Sequence, residues 1–187
     1  EGENKIYLSN GNIDKLIVYK KNKPESNIIY TDKNDVAIKF NYKSGVVVSY
    51  QYEEKPGVLC TPVPVKGEGG KIIAKYPNGQ VSMTTELINN ESEGERKIYY
   101  ANGKLYTSSF RIAGYPDGNA KVYYSNGNLW EDENYVAGNL HGLCKYYYPN
   151  GKIEREENYY DNDKHGVCKY YDEQGKLKKT HIYRYGS

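Results

Sequence analysis

The chain has 187 residues, 37% of them hydrophobic, and a formal net charge of +2 carried by interspersed acids and bases. That balance leaves no basic footprint for nucleic acid, and no apolar run is long enough to form a membrane-spanning helix. Tyrosine supplies 23 residues against two Phe and one Trp, which suits a thin sheet whose aromatics keep one polar end in water.

In chain order the first element is a repeat unit. Gly2–Gly11 aligns without a gap on Gly118–Gly127, with Lys5, Tyr7, Asn10 and Gly11 matching Lys121, Tyr123, Asn126 and Gly127. The chain starts at Glu1 without an initiator Met, yet Gly2 already sits in repeat phase. The expectation is that an upstream segment such as an export signal or lipoprotein leader has been removed. On that ground an exported or cell-envelope location in a bacterium is favoured over the cytoplasm. Two degenerate units follow, with turns near Lys33-Asn34 and Pro56-Gly57. Val58–Gly70 then carries Pro62 and Pro64 followed by Gly67, Gly69 and Gly70. Proline is tolerated in a sheet only at edges or breaks. The organisation expected is therefore 1–69 as degenerate hairpins with a break near 56–70, and 70–187 as five regular units.

The regular part has one period in three phases. Gly70, Gly94, Gly118, Gly142 and Gly166 are each 24 residues apart. So are Gly79, Gly103, Gly127, Gly151 and Gly175, and so are Asn90, Gly114, Gly138 and Asn162. A fixed period of this length is the signature of a repeat architecture. Asn-Gly between Tyr-, Val- and Ile-rich flanks predicts a hairpin with a two-residue type I′ turn. No window has a helical period. The fold expected is all-β: an elongated, single-layer antiparallel meander of successive hairpins, with about 16 strands spanning roughly 75 Å.

Alternation along each strand predicts two faces. One, core-like, carries Ile98, Tyr100, Leu105, Val122, Tyr124, Leu129, Cys144, Tyr146, Tyr148 and Ile153. The other carries Lys97, Tyr99, Tyr106, Lys121, Tyr123, Trp130, Lys145 and Tyr147. A two-residue Asn126-Gly127 loop places Lys121 opposite Asp132 and Tyr123 opposite Trp130; around Asn150-Gly151 it places Lys145 opposite Glu156. Glu131 and Glu133 break the alternation, which implies either a narrow core or a phase-reversing bulge. Cys144 and Cys168 hold equivalent places about 10 Å apart, too far for a disulfide, so they are expected as small buried thiols.

The unit Gly-x-x-x-Lys-x-Tyr-Tyr-x-Asn-Gly-x-Leu, clearest over Gly118–Tyr135 and Gly142–Tyr159, resembles the MORN repeat in its variant bacterial form. The resemblance is strong over about 70–183 and weak over 2–57. It implies an extended sheet of hairpins used for protein scaffolding. It also implies membrane-lipid association in some members and, in bacteria, YwqK-type antitoxins built of these repeats. The same repeats accompany some phosphatidylinositol phosphate kinases, but no Gly-rich nucleotide loop is present here.

Chemistry-bearing clusters read as structural. Asp161-Asn162-Asp163-Lys164-His165-Gly166 with Asp172 mimics a calcium loop. However, His165 stands at the fifth place and strands are expected where helices are required, so a hairpin turn is favoured. His141 and His165 precede repeat glycines without enough companions for zinc. Glu131, Asp132, Glu133, Glu154, Glu156 and Glu157 recur beside lysines, as on a solvated charged face. No catalytic residue, cofactor or metal site is expected, and repetition argues against a unique pocket. The expectation is a non-enzymatic protein-interaction scaffold whose contact residues are Lys97, Tyr99, Tyr106, Lys121, Tyr123, Trp130, Lys145 and Tyr147. The alternatives are an antitoxin bound to a toxin, or a module for anionic, phosphoinositide-like lipid.

Overall fold

The computed structural model describes residues 2–8, 11–65 and 69–184. Gly67 of the predicted break and Asn10 of the first Asn-Gly turn lie outside the described residues. The rest form short antiparallel strands with, among the described residues, no helix. Two compact units divide the chain at Lys104 and Leu105.

In the first unit the strands are β1 (Gly2–Tyr7), β2 (Ile13–Lys20), β3 (Lys23–Tyr30), β4 (Val36–Lys43), β5 (Val46–Gln51), β6 (Glu53–Lys55), β7 (Val58–Leu59), β8 (Val63–Pro64), β9 (Gly69–Lys75), β10 (Val81–Ile88) and β11 (Glu91–Tyr99). β1 to β5 form a meander, and β8 adds to β5 at its edge, which is where Pro64 is tolerable. β6 and β7 pair as a separate ribbon, and β9, β10 and β11 pair in succession. β4 also comes against β9 and β10: Ser82 Oγ donates to Ala37 O at 2.6 Å. Ala37, Ile38, Ile72, Ala74 and Met83 are buried there. The hairpin meander of the sequence is present, and this contact adds a local second layer. The added layer follows from composition, because β4 offers Ala37, Ile38 and Phe40 where the regular repeats offer tyrosine.

The second unit holds β12 (Leu105–Ile112), β13 (Tyr115–Tyr123), β14 (Leu129–Val136), β15 (Asn139–Leu140), β16 (Gly142–Tyr147), β17 (Ile153–Tyr160), β18 (Asp163–Lys164), β19 (Gly166–Tyr171) and β20 (Leu177–Tyr183). Its strand order is β12-β13-β14-β16-β17-β19-β20, with β15 and β18 as short extensions paired to β14 and β17.

Two kinds of turn alternate, and the type I′ turn expected at Asn-Gly is found at the other phase. The Asn-Gly turns are three-residue loops. Tyr124 N–H donates to Asn128 O and Gly127 N–H to Tyr124 O, both at 2.8 Å. Gly127 takes φ 98°, while Asn126 stays out of the left-handed region. This is a type I turn closed by a left-handed glycine. The asparagine serves through its side chain instead: Asn126 Oδ1 accepts from Asn128 N–H at 2.8 Å, and its Nδ2 donates to Pro149 O one unit on at 3.1 Å. Asn150 repeats both contacts with Lys152 and Glu173. The two-residue type I′ turns fall at the other phase. Asn89-Asn90, Ala113-Gly114, Ala137-Gly138 and Asp161-Asn162 all have positive φ at both positions.

The three-residue loop shifts the pairing, and a bulge shifts it back. Tyr123 pairs with Leu129, but Val122 pairs with Glu131, so Trp130 is the extra residue. Glu154 and Lys178 are extra at the equivalent places in the next two units. Beyond the bulge the expected pairs hold: Lys121 faces Asp132 and Lys145 faces Glu156. Before it they do not. Tyr123 is opposite Leu129 rather than Trp130, and Ile153 is opposite Tyr147. All three cysteines are free and buried.

Candidate interaction face

The bulge decides which side chains share a face of the second unit. The inner face carries Cys144, Tyr146, Cys168 and Glu157, all buried. Glu157, opposite Cys144, is fixed by four neighbours. Tyr159 OH and Tyr170 OH donate to its carboxylate at 2.8 and 2.9 Å, Lys164 Nζ donates to Oε1, and Arg155 Nε lies 3.4 Å from Oε2. One unit earlier, Glu133 accepts from Tyr135 OH at 2.6 Å and from Tyr146 OH at 2.8 Å. The Arg155 guanidinium covers the Tyr146 ring at 3.7 Å. Glu133 and Glu157 are therefore interior hydrogen-bond acceptors, not members of a solvated charged face, because tyrosine hydroxyls from the same and the next unit satisfy them.

Electrostatics on this face follow burial. Burial raises the pKa of Glu157, but hydrogen bonds from Lys164, Tyr159 and Tyr170 outweigh it and hold the carboxyl below its ordinary range. Burial pushes the Tyr135 and Tyr146 hydroxyls far up, reinforced by the Glu133 charge. Burial raises the Cys144 thiol to about 11. Phenols held neutral beside carboxylate acceptors act as fixed donors, so the network ties adjacent hairpins together.

Two expected contact residues belong to buried or inner positions. Tyr106 is 3% exposed. Trp130, as the bulge residue, turns inward and stacks on Tyr124 with ring centroids 5.1 Å apart. Lys97 and Tyr99 lie in the first unit, on a groove of about 320 Å³ that they share with Lys71, Glu86, Glu93 and Glu95. Lys97 is paired there with Glu95 at 2.8 Å.

Lys121, Tyr123, Lys145 and Tyr147 do share the outer face of the second unit. Cα partners run unbroken across it: Ser108, Lys121, Asp132, Lys145, Glu156, Lys169 and Thr180. The central members alternate in sign, and Lys145 Nζ lies 3.6 Å from Glu156. Toward the Asn-Gly turns this row is bordered by Tyr123 with Leu129, Tyr147 with Ile153 and Tyr171 with Leu177. Tyr171 OH donates to Glu156 at 2.8 Å. Toward the type I′ turns it is bordered by exposed Ile112, Val136 and Tyr160, and by Leu143 and Val167. Ile112, Val136 and Tyr160 hold one repeat position, so the 24-residue step itself could have revealed them. The face is half apolar, with a line of charges through its middle.

These features define the class: a β-hairpin repeat protein with a tyrosine–carboxylate network on its inner face and exposed apolar side chains on its outer one. The family model described as MORN repeat variant matches residues 92–110, 116–137, 140–162 and 164–185. Through that span, 92–185, the chain belongs to the MORN repeat variant family. No curated protein matches it. Membership is consistent with a binding role for a repeat protein.

Proposed function

We propose that the protein is a non-enzymatic protein-interaction scaffold, acting without cofactor or metal, and that it docks its partner on the outer face of the second unit. One observation carries this reading. Large apolar side chains are left exposed on a face whose opposite side carries the tyrosine–carboxylate network; Val136 is 55% exposed and Ile182 66%. Contiguous exposed apolar surface of this kind marks interaction sites, and tyrosines with half-buried rings beside it are typical anchors. An antitoxin is the form this takes when the partner is a toxin. Anionic lipid is the less favoured partner, because Lys121 and Lys145 each have an acid as neighbour in the row. The row therefore offers little net positive charge to a membrane surface.

The test is affinity capture from the source organism with the wild-type chain and with Leu143→Ser/Val167→Ser, two exposed positions on this face. Loss of the captured protein with unchanged melting supports the reading. Equal capture by both chains contradicts it, as does salt-sensitive binding to anionic vesicles with no protein captured.

A further inference from the structure

From the outer face of the second unit we infer that its occupant is a second copy of this chain, stacked sheet on sheet about a two-fold axis. The inference rests on the reading of that face as a protein-docking surface. Area and charge carry it.

The face comprises β12, β13, β14, β16, β17, β19 and β20. A two-fold axis between β14 and β16 superposes six of these strands and leaves β20 outside; at about 4.8 Å between strands and about 3.4 Å per residue, the six measure on the order of 29 by 27 Å, or ~780 Å². A standard stable interface needs ~800 Å² from each partner. Phe110, Ile112, Val136, Leu143 and Val167 are exposed on these six strands and supply the apolar part of the face. Sheets pack face to face with their strands nearly aligned, about 10 Å apart.

Charge fixes where the axis falls. An isologous dimer needs a self-complementary surface. An axis running along β16 would set Asp132 on β14 over Glu156 on β17, acid on acid. An axis parallel to the strands and midway between β14 and β16 exchanges β14 with β16 and β13 with β17. Asp132 then faces Lys145 of the other copy, and Lys121 faces Glu156. The line of Cα partners through these four residues keeps them level, so all the contacts form together.

The experiment is sedimentation velocity on the full chain over a concentration series, with two charge reversals. The wild type should show a reversible dimer. Lys145→Glu alone and Asp132→Lys alone should each weaken it at least ~tenfold, since each opposes like charges at two symmetric contacts. Mixing the two variants should restore a heterodimer, because each reversed residue then meets its opposite. Circular dichroism of the separate variants checks that both remain folded, and Val136→Ser, at an exposed position, should weaken the dimer without changing any charge. A wild type that stays monomeric throughout, or two folded variants that fail to associate on mixing, would overturn the inference. If the wild type is monomeric but its outer face still captures another protein, the docking reading stands and only the second copy is lost. If neither occurs, both fail.

Discussion

Trp130 stacks on Tyr124, with ring centroids 5.1 Å apart and planes 14° from parallel. Tyr124 in turn donates its hydroxyl to Tyr147 O, 2.7 Å away in the next unit. The bulge therefore makes Trp130 part of the inter-repeat joint. Trp130→Ala is expected to cost roughly 2 kcal/mol or more, as loss of a packed aromatic does. Leu129→Ala, on the outer face, should cost about 1 kcal/mol or less. Thermal melts of the two variants check the order; a larger loss for Leu129→Ala would contradict the face assignment.

Glu157 makes stability depend on pH at the acid side. Its folded pKa lies below the unfolded value of about 4.3. The stability it contributes is therefore fully present above that value and is lost as pH falls through the folded pKa. Lys164 is shifted up: burial lowers its pKa, but the hydrogen bond and charge of Glu157 outweigh this. Its contribution is present below about 10.4 and disappears as pH rises through the folded value. Glu157→Gln should destabilise by about 1–3 kcal/mol at neutral pH and flatten the acid limb of a melting-temperature profile. An unchanged acid limb would exclude Glu157 as its source.

Ala137 sits in a type I′ turn at φ 48°, a left-handed conformation that costs a residue with Cβ about 1–2 kcal/mol. Ala137→Gly should stabilise by roughly 0.5–1 kcal/mol once the extra freedom of glycine in the unfolded chain is set against the relief. At the next position a Cβ on Gly138 would lie 3.0 Å from Tyr115 Cδ1, so Gly138→Ala should destabilise. Denaturant midpoints of the pair check both signs; equal shifts in one direction would contradict the turn assignment.

Cys144 and Cys168 have no exposed surface, and burial raises the Cys144 thiol to about 11. Both should resist a thiol reagent in the native protein and react after denaturation without prior reduction. Mass spectrometry that finds them linked would contradict their placement.

The period, the hairpins and the Lys121–Asp132 and Lys145–Glu156 pairs were legible in the sequence because glycine phase and charge alternation are local signals. The near-turn register was not. Asn-Gly favours a two-residue turn when the asparagine backbone is what matters, but here the asparagine side chain is engaged, its amide reaching a carbonyl 23 residues on. Loop and bulge each shift the pairing by one and cancel beyond Glu131, so right pairs and wrong ones followed from the same assumption. Simple alternation accordingly puts Trp130 on the wrong face, and it leaves Tyr106, which is buried, looking exposed. Glu133 and Glu157 read as solvated because their partners, Tyr146 and Tyr170, lie 13 residues away on the next hairpin. The packing of β4 on β9 and β10 had no signal in the repeat, since β4 itself lies outside the regular units.

The central claim is that the bulge puts Tyr123 and Leu129 together on the outer face and sends Trp130 inward. Paired-cysteine cross-linking tests it most directly. Cα partners directly across an antiparallel pair lie within disulfide reach, whereas residues on opposite faces point their Cβ atoms apart. Tyr123→Cys/Leu129→Cys should form an intramolecular disulfide on mild oxidation, and Tyr123→Cys/Trp130→Cys should not, as read by peptide mass mapping. A cross-link in the second pair and none in the first would contradict the account.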